Sequence, residues 1–445
     1  MWVIMAENGV KASSSKVPAH RLSRLGSLAS LAGRVAGGML AEGARQLVQG
    51  KLAAKTDMLL TPANISRVAD QLAHLRGAAM KLGQLLSMDA GDMLPPALSD
   101  ILARLRASAN PMPVKQLAKV LQSEWGDGWL QHFADFSFAP LAAASIGQVH
   151  QAYHDDGRRL AIKVQYPGVK LSIDSDVDNV ATLLRVSGLI PAGVDYQSLL
   201  AEAKKQLKAE ADYLQEADYL QQYRRLLADN SDFLLPETIP GLNTANILAM
   251  TFVEGVAVES LTQHSQAERD RVMTLLFALL FRELFEFKLV QTDPNFANYL
   301  YNTTTQQLVL LDFGACRQYS ERFSLAYRAL FNATLANDEL AKVQALTDIG
   351  FFSQHIVAAQ QQAVLQLVTM ACEPLMQDNA FDFGSTDLAV RLREAGTALS
   401  LQQNYWHAPP ADAIFLHRKI AGMYLLAARL KARVNVRRLL QGYLA

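Results

Sequence analysis

The chain is 445 residues long, half of it hydrophobic and 19% charged, which suits two large lobes plus an extension and excludes a disordered or fibrous protein. Its 42 basic side chains balance 42 acidic ones, so no global positive field exists to collect counterion-release energy from a nucleic-acid backbone. Two cysteines, Cys316 and Cys372, are too few for a disulfide framework or a structural zinc site and suit a reducing compartment.

In chain order, residues 1–50 read as a basic arm. Lys11, Lys16, Arg21, Arg24 and Arg34 oppose a single acid, Glu7, in the first 41 residues, and no apolar core of a secretory signal is present. Leu22, Leu25, Leu28, Leu31 and Val35 recur every three or four residues, which fits a solvated terminus or a peripheral contact with a membrane surface. Residues 51–112 form a helical extension in which Leu72, Leu75, Met80, Leu82, Leu85 and Leu86 share a face, with Pro95-Pro96 as the stop.

Residues 113–255 change character. Between 134 and 166 the period becomes two: Leu160, Ile162 and Val164 alternate with Ala161, Lys163 and Gln165 after an Asp155-Asp156-Gly157 turn, predicting a β-hairpin. A charged helical stretch follows over 174–229, then strands near 233–240 and 245–253. Residues 256–445 read as helix, interrupted by Leu289 to Asp312, where Tyr299-Leu300-Tyr301 and Leu308 to Leu311 flank a polar turn. The longest apolar runs, Val272 to Phe281 and Ile420 to Ala428, are shorter than the roughly 18 residues a spanning helix needs and read as buried helix faces.

The chemistry lies in the order of the motifs. A small-residue turn, a strand lysine, helical acids, Asp-x-x-x-x-Asn and Asp-Phe-Gly follow one another as they do in a protein-kinase-like fold. Asp293 and Asn298 have the catalytic-loop spacing, and a short hairpin would bring Asn298 to Asp312 of Asp312-Phe313-Gly314. Carboxylate and amide oxygens together suit Mg²⁺, a hard cation. Lys163 stands on the strand face opposite the three branched aliphatics, so it should face a cleft and its exchange should leave the fold intact. Glu210, Asp212 and Glu216 each offer an acid to hold its ammonium.

Further motifs sharpen this. Lys81-Leu82-Gly83-Gln84, then Ala142-Ala143-Ala144-Ser145-Ile146-Gly147-Gln148-Val149-His150, then Lys163-Val164-Gln165-Tyr166-Pro167-Gly168-Val169 resemble the UbiB (aarF-domain) family of atypical kinases over about residues 60 to 330. Gln291-Thr292-Asp293-Pro294-Asn295 and Phe415-Leu416-His417-Arg418-Lys419 are similar to its coenzyme Q branch. The resemblance implies an α+β, bilobal protein-kinase-like fold whose N-terminal helical extension folds over the nucleotide cleft. It implies ATP and Mg²⁺ as cofactors, weak hydrolysis and support of ubiquinone biosynthesis. Asp293, Lys163 and Glu216 become the catalytic set, with Glu216 the partner of Lys163. On this resemblance Ala142, Ala143, Ala144, Ser145, Lys163 and Glu254 would bind the nucleotide, and Asn298 and Asp312 would hold the metal. The resemblance also implies that Lys81 and Gln84 form a regulatory lid meeting Glu210 and Asp212.

Residue chemistry also argues against ordinary protein phosphorylation. Alanines stand where a phosphate loop uses glycines. Thr292 replaces the arginine before the catalytic aspartate, Gln291 replaces histidine, and no Ala-Pro-Glu follows Asp312. These features favour an ATPase or small-molecule kinase acting on or with a lipid or quinone precursor. The alternative is a nucleotide-gated lipid-binding scaffold or chaperone for ubiquinone-biosynthesis proteins, and a protein kinase comes last. The expected location is cytoplasmic, peripheral at the inner membrane, or the mitochondrial matrix in a eukaryote.

Overall fold

The computed structural model describes residues 3–4, 111–144, 146–186, 196–293, 295–352, 356–401 and 409–444. The extension expected over 51–112 lies almost wholly outside them, as do Lys81, Gln84 and Ser145. By internal contacts the chain divides into two units, residues 1–218 with 237–252, and residues 219–236 with 253–445.

The first unit is built on an antiparallel sheet in which β1 (Val3–Ile4), β2 (Phe133–Ala143), β3 (Gly147–His154), β4 (Arg159–Gln165) and a strand at Ile247–Thr251 are neighbours in that order. The helix α1 (Val114–Trp125) precedes β2, and its Leu117 and Leu121 join Trp129, Phe133, Phe136, Leu160, Ile162 and Val164 in one apolar core. The β3–β4 turn is the one the sequence predicts: Gly157 takes φ +87°, a conformation open to glycine, while the Arg158 N–H donates to Asp156 Oδ1 at 3.0 Å. The charged stretch is three helices, α2 (Val169–Val186), α3 (Tyr196–Glu210) and α4 (Tyr213–Leu226). The last break falls at Asp212, whose Oδ1 accepts from Gln215 N–H at 3.1 Å.

The run 233–240 is not a full strand. Pro236 and Pro240 cannot donate to a ladder, and only β5 (Phe233–Leu234) forms, pairing in parallel within the second unit, plus a single bridge from Thr238 to Met250 in the first. The strand at Ile247–Thr251 is β6.

In the second unit β7 (Val256–Ala257) precedes α5 (Gln266–Phe281), which opens with a capping box between Ser265 and Glu268. A π-helical turn, Arg282–Phe287, continues it and ends at Lys288 in a left-handed conformation, φ 51°. Then come β8 (Leu289–Gln291), β9 (Tyr299–Asn302), β10 (Gln307–Leu310) and β11 (Cys316–Gln318); β9 and β10 form the expected hairpin, and β8 pairs antiparallel with β11. Beyond residue 320 the chain is mostly helical: α6 (Glu321–Leu335), α7 (Glu339–Ile349), α8 (Ala358–Ala371), α9 (Leu388–Leu401), α10 (Ala411–Arg429) and α11 (Val436–Gln441). One two-stranded ribbon, Phe381–Asp382 with Arg433–Val434, departs from the all-helical expectation there. The runs Val272 to Phe281 and Ile420 to Ala428 lie in α5 and α10 and are largely buried, and among the described residues no helix is long and apolar enough to cross a membrane.

Candidate active site

Lys163 sits in the middle of β4, opposite Val149 of β3 and Leu248 of β6. Its Nζ lies 2.8 Å from Glu216 Oε1 and 2.9 Å from Oε2, and 4.9 Å from the centre of the Tyr213 ring. Both partners are shut away from water, 5% exposed for Lys163 and 2% for Glu216. This corrects the expectation that the lysine face of β4 lies outside the core. Leu160, Ile162 and Val164 are buried as predicted, but so are Ala161, Lys163 and Gln165 on the other face. The acid that meets Lys163 is Glu216; Glu210, at the end of α3, and Asp212 are half-buried. Gln165 Nε2 donates to the carbonyls of Ala211 at 2.9 Å and Ala245 at 3.2 Å, so β4 also pins the junction between α3 and α4.

The alanine turn is smaller than its motif. Ala142 and Ala143 are the buried last residues of β2, and only Ala144 is in the connection, where its N–H donates to Gly147 C=O at 2.9 Å. Gly147 has a steric reason: a Cβ there would stand 2.3 Å from the Val164 carbonyl oxygen. Glu254 is exposed, between β6 and β7.

The second unit gathers Thr292, Asp293, Asn298 and Asp312. Thr292 bonds twice to the carbonyl of Ala315, through N–H at 3.1 Å and Oγ1 at 2.7 Å, so the loop after β8 is tied to the residue following Asp-Phe-Gly. A neutral hydrogen bond thus occupies the place where the sequence lacks an arginine. Leu311 N–H donates to Asn298 C=O at 3.1 Å, which sets Asn298 beside the residue preceding Asp312. Asp312 Oδ1 accepts from Gly314 N–H at 3.0 Å, fixing the turn.

Asn298 tests whether a cation fits here. It is 1% exposed and its Nδ2 donates to Asp293 Oδ2 at 3.2 Å, which turns the amide so that Oδ1 is buried with no hydrogen-bond partner among the described residues. A buried orphan acceptor is costly unless an unseen donor or cation meets it. An amide oxygen near a carboxylate is also the donor set Mg²⁺ takes while keeping phosphate and water ligands. The residues therefore fit the ion.

Sequence reading missed Tyr223 and Glu283 and gave Lys419, quoted in its tail motif, no role; Tyr223 and Glu283 both meet the Gln291 N–H, and Lys419 meets Glu283. The available signal was Glu283 itself, an acid set among Leu279, Leu280, Phe281, Leu284 and Phe285, whose neighbour Arg282 pairs instead with Glu286. Phe313 packs against Tyr223 with ring centroids 4.8 Å apart.

A family model for the ABC1 atypical kinase-like domain matches residues 104–346. The chain is 38% identical over 428 residues to atypical kinase COQ8, mitochondrial, of Saccharomyces cerevisiae, covering 96% of this chain and 85% of that one. It is 37% identical over 428 residues to atypical kinase COQ8B, mitochondrial, of Rattus norvegicus, covering 96% and 81%. Among solved structures, Rv3197 of Mycobacterium tuberculosis, in complex with erythromycin, superposes with a TM-score of 0.59 at 23% identity over 84% of this chain and 93% of that one, which shows a shared fold.

Proposed function

The chain belongs to the ABC1 atypical kinase-like family, and we propose that it binds ATP with Mg²⁺ and turns it over in support of ubiquinone biosynthesis, acting on or with a lipid precursor. The observation that carries the reading is Asn298: a buried amide oxygen without a hydrogen-bond partner among the described residues, oriented by Asp293 and one strand end away from Asp312. Asn298 and Asp312 would hold Mg²⁺, which supplies charge neutralisation on the phosphate oxygens. Asp293 accepts from Asn298 through Oδ2, and its carboxylate would take the proton of the attacking hydroxyl or water. Lys163, held by both oxygens of Glu216, would orient phosphate oxygens. Ala142, Ala143, Ala144, Ser145 and Glu254 complete the proposed nucleotide contacts, and Lys81 and Gln84 the lid over Glu210 and Asp212.

The similarity to COQ8 proteins and the Phe415-to-Lys419 tail support the ubiquinone pathway, a mitochondrial location in a eukaryotic source, and a lipid acceptor or partner. The intact Lys163, Asp293, Asn298 and Asp312 favour turnover over a purely structural role.

The test is ligand-linked stability. ATP with Mg²⁺ should raise the thermal midpoint of the full chain, ATP with EDTA should raise it less, and Asn298→Ala should abolish the difference. Vesicles containing a polyprenylated phenol should increase phosphate release. No midpoint shift with ATP under any metal condition would reject nucleotide binding, and indifference to the vesicles would reject the lipid assignment.

A further inference from the structure

Glu283 is 0% exposed and lies on the π-helical turn that follows α5. A carboxylate so placed needs every lone pair met. Oε2 takes the ammonium of Lys419, itself 3% exposed on α10. Oε1 accepts from the Tyr223 hydroxyl at 2.7 Å and from Gln291 N–H at 3.3 Å. Burial first, and then the Glu283 charge, push the Tyr223 phenol well above its ordinary range, so it stays a donor.

The strand β8 explains why these groups matter. It is three residues long and, among the described residues, pairs with β11 on one edge only. Its other edge presents the Leu289 C=O and the Gln291 N–H, which point the same way because they are two residues apart. Among the described residues neither has a strand to bond. The Tyr223 hydroxyl supplies both missing partners, accepting from Gln291 N–H at 2.9 Å and lying 3.0 Å from the Leu289 oxygen. Glu283 shares that hydroxyl proton and so orients it. Two residues beyond Gln291 is Asp293, and the other face of Tyr223 carries Phe313 at 4.8 Å, between Asp312 and Gly314.

We propose that Glu283, anchored by Lys419 and acting through Tyr223, is a positioning residue for the reaction: it substitutes for a missing strand and fixes the register of the segment that delivers Asp293 while seating Phe313. The inference rests on the reading above that Asp293 and Asp312 serve nucleotide turnover. Stability alone does not call for an ion pair here, because a buried pair can be replaced by apolar residues of like volume at little cost. The acceptor oxygen is what cannot be replaced.

That distinction sets the experiment, on the full chain. Glu283→Gln with Lys419→Met removes both charges but keeps an acceptor for Tyr223 and Gln291, whereas Glu283→Leu with Lys419→Met removes the acceptor too. Turnover, ATP affinity, thermal midpoint and amide exchange of residues 289–293 are measured for both, and for Tyr223→Phe. The expected result is kcat at least about tenfold lower for the Leu–Met pair than for the Gln–Met pair, with KM for ATP within about twofold. Amide exchange at Gln291 should be faster in the Leu–Met pair and in Tyr223→Phe, which keeps the ring against Phe313. Equal kcat in the two pairs, with equal protection at Gln291, overturns the proposal. Should the Leu–Met pair fail to fold, Tyr223→Phe decides by the same kcat and exchange readouts. A wild-type chain that releases no phosphate rejects the proposed function instead, and exchange at Gln291 still decides whether Glu283 orders β8.

Discussion

Lys163 and Glu216 are a buried pair whose two short hydrogen bonds offset the loss of water only while both partners are present. Lys163→Ala therefore does more than remove a proposed phosphate ligand: it takes the ammonium away from a carboxylate that is 2% exposed. The expected loss is about 3–5 kcal/mol of stability, measured by urea unfolding, with Lys163→Met combined with Glu216→Leu recovering most of it while remaining inactive. An unfolding midpoint unmoved by Lys163→Ala would show that the pair is not buried in solution. At the same scale Asn298 is the informative polar atom, since its amide is turned by Asp293 and its oxygen lacks a partner among the described residues.

Among the elements, β2 and β3 are joined through a register irregularity between Phe136 and Pro140. His150 fills it: Nδ1 donates to the Ser137 carbonyl at 2.9 Å, which requires Nε2 to accept from Gln148 Nε2 at 2.7 Å, and Gln148 Oε1 in turn accepts from Met112 N–H at 2.8 Å. A protonated ring would set donor against donor. Burial lowers the His150 imidazole to about 4 and does the same to His417 of α10, which meets the Tyr327 hydroxyl at 2.8 Å. Because the folded values lie below the ordinary 6.5, the unfolded chain binds these protons first. The stabilisation is complete above pH 6.5 and is lost as pH falls from 6.5 to 4, about 3 kcal/mol for each ring. Urea unfolding across that window should show His417→Phe lowering the slope by about 1.4 kcal/mol per pH unit, one proton's worth, whatever its effect on absolute stability. An unchanged slope would mean that His417 is already charged in the folded chain.

For the whole molecule, legibility followed sequence distance. Leu160, Ile162 and Val164 were readable as core and the hairpin of β9 and β10 as a hairpin because strand period and turn chemistry are local. The order from Lys163 to Asp312 was readable because the spacing within each motif fixes which side chains share an end of an element. Local pattern could not place β5, whose partner β10 lies some 75 residues on and which carries residues 219–236 into the second unit. Nor could it join Glu283 to Lys419, separated by 136 positions, or show that both faces of β4 are covered, since a lysine opposite three branched aliphatics reads as facing an open cleft and the packing over it comes from residues distant in sequence.

The most direct test of the central claim, that Asn298 and Asp312 assemble a metal-dependent nucleotide site with Asp293, is phosphate release from ATP by the full chain as Mg²⁺ is titrated, wild type against Asp312→Asn. Removing the carboxylate charge while keeping its shape should lower turnover by about a hundredfold or more and flatten the Mg²⁺ dependence. Equal Mg²⁺-dependent turnover in the two proteins would contradict it.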